Sequence, residues 1–89
     1  MPRTKVRVRN VAEAAPGLWT NGIRAGEFLF ISGQVARPFE GGHGLVGDNE
    51  YAQAKQVFER IERICKAAGG SMADVVKMTI FMVDIRKNA

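Results

Sequence analysis

The spacing of apolar positions changes along the chain, and each spacing predicts an element. Residues 5–9 alternate basic and β-branched side chains with period two, which is typical of a strand with one buried and one solvated face. An apolar run opens residues 28–35, and a short connection containing Gly26 separates it from Ile23 and Arg24. This arrangement predicts a β-hairpin.

The middle of the chain has the period of an amphipathic helix. Asp48 or Asn49 is placed to cap it, and Gly69 supplies the left-handed residue that ends it. The predicted buried face consists of Ala54, Val57, Phe58, Ile61, Ile64, Cys65 and Ala68. Opposite charges four residues apart support the other face, namely Glu59 with Arg63 and Glu62 with Lys66.

The last predicted element is a strand over residues 75–83, preceded by a capped single turn at residues 71–74. Both faces of this strand are largely apolar, as in an interior strand. The order of strand, hairpin, helix and strand indicates an α+β fold in one domain, residues 1–89. A second helix would complete a two-layer sandwich, because one helix covers only part of a four-stranded sheet.

Composition limits how such a domain reaches stability. With 89 residues the core is small, and the single cysteine excludes an internal disulfide, so we expect an oligomer. No apolar run is long enough to span a membrane, and the charged start of the chain is unlike a secretory signal. Together with the single thiol, these features favour the cytoplasm.

The formal net charge of +4 permits contact with anions or nucleic acid but does not require it. A basic row near the start of the chain consists of Arg3, Lys5, Arg7 and Arg9. Such a row can follow a phosphate backbone. More often it is a solvated edge that discourages aggregation between sheets, so we do not expect nucleic acid as a partner.

Three residues are candidates for a ligand site. Gly33 within a predicted strand indicates either a bulge or a place where a ligand approaches the backbone. Ser32 beside it can hydrogen-bond in a pocket, but the single histidine lies in a glycine loop and no Ser-His-Asp set can be assembled. Trp19, the one tryptophan, has three possible roles: it stacks on a ligand, anchors a partner interface or covers the core from its loop.

Other reactive side chains have simpler interpretations. Cys65 lies on the apolar helix face, where a thiol behaves as a small buried hydrophobe. His43 has no second ligand at metal-binding spacing, so we predict no metal site and a solvated imidazole. The glycines at residues 41–44 lack the lysine and hydroxyl of a phosphate-binding loop, and we expect that loop to be mobile.

Five motifs follow one another in a specific order and spacing. They are Ala-Pro-Gly-Leu-Trp-Thr-Asn at 15–21, Phe-Ile-Ser-Gly-Gln at 30–34, Val-Gly-Asp at 46–48, Ala-Ala-Gly-Gly-Ser at 67–71, and Asp-Val-Val-Lys-Met-Thr-Ile-Phe at 74–81. Each is common alone, but the set resembles the RidA (YjgF) family of reactive-intermediate deaminases. The resemblance implies a chorismate-mutase-like two-layer sandwich, with a mixed sheet packed by helices, and a homotrimer with ligand clefts between subunits.

The resemblance also implies a chemistry. The best-studied members of the family hydrolyse imines and enamines to 2-keto acids and ammonia, without a metal or organic cofactor. Ser32 and Gly33 would line the cleft, and Trp19 would take the place of the family's usual tyrosine. An indole N–H donates a hydrogen bond but cannot accept one or transfer a proton as a phenol does, so this exchange changes what the pocket offers a ligand.

The family pattern extends beyond the last residue of this sequence. Members continue with a second helix and two strands that carry an arginine for the substrate carboxylate and a glutamate that positions water, and neither residue can be assigned here. The catalytic residues are therefore unknown, and we expect the chain to lack the family's C-terminal part. Two other functions remain open: a binding module for a small carboxylate or metabolite, and RNA binding or cleavage.

Overall fold

The architecture is described from a computed structural model, which covers residues 3–14, 18–42 and 44–81. It is an α+β fold in which one long helix packs on a small sheet. The elements in chain order are β1 (Arg3–Lys5), β2 (Gly22–Ala25), β3 (Phe28–Ile31), α1 (Glu50–Ala67) and a 3₁₀ turn (Met72–Asp74).

The predicted hairpin forms two of the three strands of the described sheet. β2 lies between β1 and β3 and pairs with both in the antiparallel sense, with Ala25 opposite Phe28 at the turn. Gly26 has a φ of 61°, and in the described part of the chain every residue with a positive φ is a glycine. This is the pattern of a type II′ turn, whose twist suits a two-residue connection. The pairings among the described strands are all antiparallel, so the mixed sheet is not seen there.

The first strand confirms the predicted alternation but not the predicted bounds. Val6 and Val8 are buried and Arg7 and Arg9 are exposed, as period two requires. The β1 ladder nevertheless covers Arg3–Lys5 instead of residues 5–9. Beyond it the Val6 N–H still donates to the Gly22 carbonyl at 2.9 Å, so side-chain alternation continues where the ladder has ended.

The ends of the helix follow the predicted capping residues. Asn49 is the N-cap, and its side chain accepts a hydrogen bond from the Ala52 N–H at 2.8 Å. After the helix, Gly69 has a φ of 90° and donates to the Lys66 carbonyl, while the Gly70 N–H donates to the Cys65 carbonyl. These two bonds form a Schellman motif. The predicted ion pairs are also present, at 3.4 Å for Arg63 with Glu59 and 3.6 Å for Lys66 with Glu62.

The helix buries only part of the predicted face. Ile64 and Cys65 are buried as predicted, but Ala54 and Phe58 are exposed, and Gln56 and Arg60 are buried instead. The core contains Val6, Val8, Val11 and Ile64, with Leu29, Ile31, Phe39 and Ala68 packed against it. The prediction considered apolar residues only. Gln56 and Arg60 donate hydrogen bonds to the carbonyl groups of Arg37 and Pro38, in the segment before the helix. Because of these contacts, the buried face includes two polar residues.

The predicted interior strand is not formed in the described part of residues 75–83. Residues 75–81 have no regular structure, with Val76 95% and Phe81 93% exposed, and residues 82–83 lie outside the described ranges. A strand with two apolar faces needs neighbours that cover both. None of the described strands pairs with this segment. The turn before it is as predicted, because Ser71 and Asp74 form a capping box.

Substitution of Gly47 tests how closely the loop before the helix packs against the first helical turn. Its φ is 101°, and a Cβ there would lie 2.8 Å from the Ala52 Cβ and 2.9 Å from the Gln53 nitrogen. Gly42 has a similar φ of 107°, but its Cβ would meet no atom within 4 Å. We expect Gly42→Ala to lower the free energy of unfolding by about 1 kcal/mol through φ alone, and Gly47→Ala to lower it by a further 1 kcal/mol or more. Urea titration measures the free energy of unfolding of both variants. Equal losses would contradict a close contact between a Cβ at position 47 and the helix.

Candidate functional site

Two neighbouring concavities share Trp19 as a wall. The larger, of about 700 Å³, is bounded by the Trp19 loop and by the strands, with Ser32, Phe30 and Glu13 among its lining residues. The smaller, of about 350 Å³, is lined by Trp19, Gly33, Gln34, Val35, Arg37 and Arg60. The structure thus brings Trp19 beside Ser32 on one side and beside Gly33 on the other, with the indole 51% exposed.

Ser32 is held by hydrogen bonds that begin where β3 ends. Its N–H and its hydroxyl both donate to the Asn21 carbonyl, at 3.1 and 3.4 Å. Its hydroxyl oxygen and carbonyl accept from the Gln34 amide, at 3.3 and 3.2 Å. The hydroxyl therefore has an acceptor and a donor but no base to deprotonate it among the described residues. This arrangement suits a positioning group and not a nucleophile.

Gly33 lies outside the strand ladder and has no internal reason to be glycine. β3 ends at Ile31, so the residue is not a bulge between paired strands. Its φ is not positive, and a Cβ built on it would meet no atom within 4 Å. Neither conformation nor packing within the described residues demands a glycine here, so the space beside its backbone is open to a ligand. The role of Gly33 in a ligand site stays a prediction.

Arg60 anchors the smaller concavity from the helix. Its Nε–H donates to the Gln34 side-chain oxygen at 3.0 Å, and its Nη1 donates to the carbonyls of Arg37 and Pro38 at 3.2 and 3.0 Å. Gln56, one turn earlier, donates to the same Arg37 carbonyl at 2.8 Å. Burial, followed by the nearby charge of Arg37, holds the pKa of Arg60 below its usual value.

Asn21 connects the loop to the larger concavity. It is completely buried, and its amide nitrogen donates to the Ala12 carbonyl at 3.2 Å and to Glu13 Oε1 at 3.1 Å. The Glu13 carboxylate also accepts from the Thr20 hydroxyl at 3.0 Å and lies 3.6 Å from Lys5 Nζ. These contacts tie Thr20 and Asn21, which follow Trp19, to the segment between β1 and the Trp19 loop.

Sequence reasoning missed the polar residues that support the candidate site. They are Asn21, Gln34, Gln56 and Arg60. A signal was available for the last two, because Gln56, Arg60 and Ile64 are spaced by four residues and so share one helical stripe. Asn21 and Gln34 had no such signal, because their partners depend on the tertiary fold.

The remaining candidates lie apart from the concavities. Cys65 is buried as predicted, and burial, reinforced by the charges of Asp74 and Glu62, raises the pKa of its thiol. His43 lies outside the described residues. Within the described ranges, no cluster of three or more His, Cys, Asp or Glu side chains could hold a metal ion. No helix in the described part of the chain is long and apolar enough to cross a bilayer.

Solved structures define the class of fold. The chain is similar to a protein of unknown function of the Rid family from Yersinia pestis, with a TM-score of 0.85 and 26% identity over 98% of this chain and 68% of that one. It is also similar to RidA from an Antarctic Psychrobacter, with a TM-score of 0.69 and 38% identity over 82% of this chain and 57% of that one. The chain therefore has a RidA-like α+β fold.

Sequence comparison then identifies the family. Residues 10–89 match the family described as Endoribonuclease L-PSP. The chain is 41% identical to a RutC family protein of Pyrococcus horikoshii, over 78% of this chain and 54% of the relative. It is 36% identical to the 2-iminobutanoate/2-iminopropanoate deaminase of Salmonella typhimurium, over 83% of this chain and 56% of the relative.

This chain belongs to the RidA/YjgF family, as its five motifs predicted. It spans about half the length of the curated relatives that it matches.

Proposed function

We propose that the protein hydrolyses reactive imines and enamines derived from amino acids, and releases ammonia and a 2-keto acid. An enamine first gains a proton at carbon and loses one from nitrogen, which gives the imine. Water then adds to the carbon of the C=N bond, and the resulting carbinolamine breaks its C–N bond and loses ammonia, which leaves the C=O of the keto acid. Family membership and the relative named as an imine deaminase support this chemistry.

The observation that carries the proposal is the open backbone at Gly33. The residue lines a concavity whose other wall is Trp19, and a Cβ there would enter unoccupied space. We propose that a small planar imine binds between the Trp19 indole and this bare backbone. The adjoining Ser32 hydroxyl is held in place by Asn21 and Gln34. Ser32, Gly33 and Trp19 are thus proposed to shape the substrate site. The acid and base of the reaction are not assigned.

An assembled state is part of the proposal. On β3, Phe28 and Phe30 are each 63% exposed, whereas Leu29 and Ile31 pack against the core on the other face. An exposed aromatic pair on a sheet is suited to burial against another copy of the chain. We propose a homotrimer with the ligand site at the subunit boundary, and a cytoplasmic location in keeping with the single thiol.

Gly33→Ala tests the site with little risk to the fold. The new methyl group meets no protein atom, so we expect the free energy of unfolding to change by less than about 1 kcal/mol. The same methyl group displaces substrate, and kcat/KM for freshly generated 2-iminopropanoate should fall at least about tenfold, which corresponds to about 1.4 kcal/mol.

Gly42→Ala is the matched control for this test. It also places a methyl group in open space, but it lines neither concavity. The two variants are compared at equal folded fraction, after light scattering has shown that their oligomers have the same molar mass. Under these conditions Gly42→Ala should retain the wild-type rate. Equal rates for Gly33→Ala and the wild type would contradict a substrate site at Gly33.

A further inference from the structure

A chain of hydrogen bonds connects the Ser32 hydroxyl to the helix. Arg60 Nε–H donates to the Gln34 side-chain oxygen at 3.0 Å, and the Gln34 side-chain nitrogen donates to the Ser32 hydroxyl oxygen at 3.3 Å. Arg60 is only 6% exposed, and the carbonyls of Arg37 and Pro38 hold its Nη1. The chain of bonds therefore runs from a fixed, buried cation to a residue that lines the larger concavity.

Arg60 determines which end of the Gln34 amide faces Ser32. The oxygen of a primary amide accepts hydrogen bonds and its nitrogen donates them, although the two ends are alike in shape. A guanidinium can only donate, so the Gln34 oxygen must face Arg60. The nitrogen then faces Ser32, whose carbonyl also accepts from it at 3.2 Å. Ser32 consequently receives a hydrogen bond from Gln34 and finds no acceptor on that side for its own hydrogen.

This orientation leaves the Ser32 hydroxyl hydrogen available to a ligand. Among the described residues its acceptor is the Asn21 carbonyl, at an oxygen–oxygen distance of 3.4 Å. That distance is long for a hydroxyl donor, and the Ser32 N–H already donates to the same carbonyl at 3.1 Å. An acceptor on a ligand can therefore take the hydrogen at little cost, whereas a Gln34 oxygen turned toward Ser32 would retain it.

The charge of Arg60 strengthens this donor. Successive hydrogen bonds in a chain polarise one another, and the effect is larger in a buried environment of low polarity. Each group here donates in the same direction, from the cation through the Gln34 amide to the Ser32 oxygen. Electron density is drawn toward Arg60, so the Ser32 hydroxyl is a better hydrogen-bond donor than that of an isolated serine.

We infer that Arg60 is a positioning residue that acts through Gln34 and presents the Ser32 hydroxyl as a donor to the imine nitrogen of the substrate. A neutral imine has a lone pair on this nitrogen. A hydrogen bond to it draws electrons from the C=N bond, so water attacks the carbon more readily. The inference rests on the proposed hydrolysis, to which it adds a polarising donor and the two residues that orient it.

Gln34→Glu reverses the polarity of the chain with little change in shape. One carboxylate oxygen keeps the hydrogen bond from Arg60, and the other takes the place of the nitrogen beside Ser32. This second oxygen accepts the Ser32 hydroxyl hydrogen and withholds it from the substrate. We expect kcat/KM for freshly generated 2-iminopropanoate to fall at least about tenfold. Circular dichroism checks that the variant is folded.

A double-mutant cycle with Ser32→Ala separates this effect from the negative charge that glutamate adds. If the carboxylate acts through the hydroxyl, Gln34→Glu should lower kcat/KM by less than about twofold in the Ser32→Ala background. Repulsion of an anionic substrate, or distortion of the loop, would persist in that background. Gln53→Glu is the matched control, because Gln53 lines neither concavity, and it should retain the wild-type rate.

Arg60→Lys and Arg60→Met test the fixed end of the chain. An ammonium can only donate, so lysine keeps the Gln34 oxygen turned toward the helix. Methionine lets the amide turn and accept the Ser32 hydrogen. At equal folded fraction, kcat/KM of Arg60→Lys should be at least about fivefold above that of Arg60→Met. Equal rates would overturn the role of Arg60, and the Gln34→Glu cycle decides the matter if neither variant folds.

Pyruvate, the keto acid formed from 2-iminopropanoate, gives a readout without turnover, because its keto oxygen accepts the same hydrogen. Its dissociation constant is obtained from the ¹H–¹⁵N signal of the indole of Trp19, the one tryptophan of the chain. Gln34→Glu should weaken pyruvate binding about fivefold in the wild-type background and less than about twofold in Ser32→Ala.

The two readouts distinguish failure of the hydrogen-bonded chain from failure of the proposed hydrolysis. Equal losses from Gln34→Glu in the two backgrounds, in kcat/KM or in pyruvate binding, would overturn the role of Gln34 and Arg60 while leaving hydrolysis intact. The expected pattern in pyruvate binding without release of ammonia by the wild type would refute hydrolysis and support the orientation of Ser32.

Discussion

Replacing Ile64 with alanine is expected to lower the free energy of unfolding by about 2–5 kcal/mol. Ile64 is completely buried between the helix and the sheet, and it packs with Val6, Val8 and Val11. A Cβ at Gly22 would lie 3.2 Å from the Ile64 Cγ2, which shows how closely this side chain approaches β2. Truncation removes the contact that joins the two layers.

The matched control for Ile64 is Leu45→Ala, which removes a side chain of the same size from an exposed position. It should change stability by less than about 0.5 kcal/mol. Urea titrations are compared at one protein concentration, because the stability of an oligomer depends on it. Similar losses for the two variants would mean that the helix is not packed on the sheet through Ile64.

Arg60→Leu is the second substitution with a large expected effect, a loss of about 2–4 kcal/mol. Leucine occupies much of the buried space but removes three hydrogen bonds. The side-chain oxygen of Gln34 then loses its donor, while the Arg37 carbonyl retains Gln56 and the Pro38 carbonyl retains the Gly41 N–H. Arg60 thus fixes the segment after β3 to the helix, and its loss releases that segment.

Arg9→Leu separates this effect from the loss of a positive charge. Arg9 is exposed, so the substitution should change the free energy of unfolding by less than about 0.5 kcal/mol. Chemical denaturation followed by far-ultraviolet circular dichroism measures both variants. Equal stability of Arg60→Leu and Arg9→Leu would contradict the anchoring role of Arg60.

Elements governed by local rules were predictable from the sequence. The hairpin follows from apolar segments around Gly26, and the helix ends follow from Asn49 and Gly69. These features depend on backbone conformations and caps that neighbouring residues determine. The family was predictable for a different reason, because five motifs in a fixed order are specific even where each one is common.

Features that depend on tertiary contacts were not predictable. The buried helix face turned toward Gln56 and Arg60, because carbonyls far away in sequence accept their hydrogen bonds. The segment 75–81 has the pattern of an interior strand but no strand beside it in the described residues. The side-chain pattern indicates that the segment is suited to an interior strand. Whether neighbouring strands cover its two faces depends on the tertiary fold.

The candidate site was predictable in part. Trp19, Ser32 and Gly33 were singled out from the sequence, and the structure brings them to two adjoining concavities. The arginines of the smaller concavity were not singled out, because a charged residue on a helix is usually solvated. Only the fold shows that Arg60 is buried and faces the same space as Trp19.

Imine hydrolysis is tested most directly by the rate at which the assembled wild-type protein releases ammonia from freshly generated 2-iminopropanoate. Light scattering first establishes the oligomer, and buffer alone gives the uncatalysed rate. We expect a rate that is proportional to protein concentration and above that of buffer. A rate equal to buffer from an intact oligomer would contradict imine hydrolysis, and saturable pyruvate binding by the same sample would then identify a carboxylate-binding member of the family.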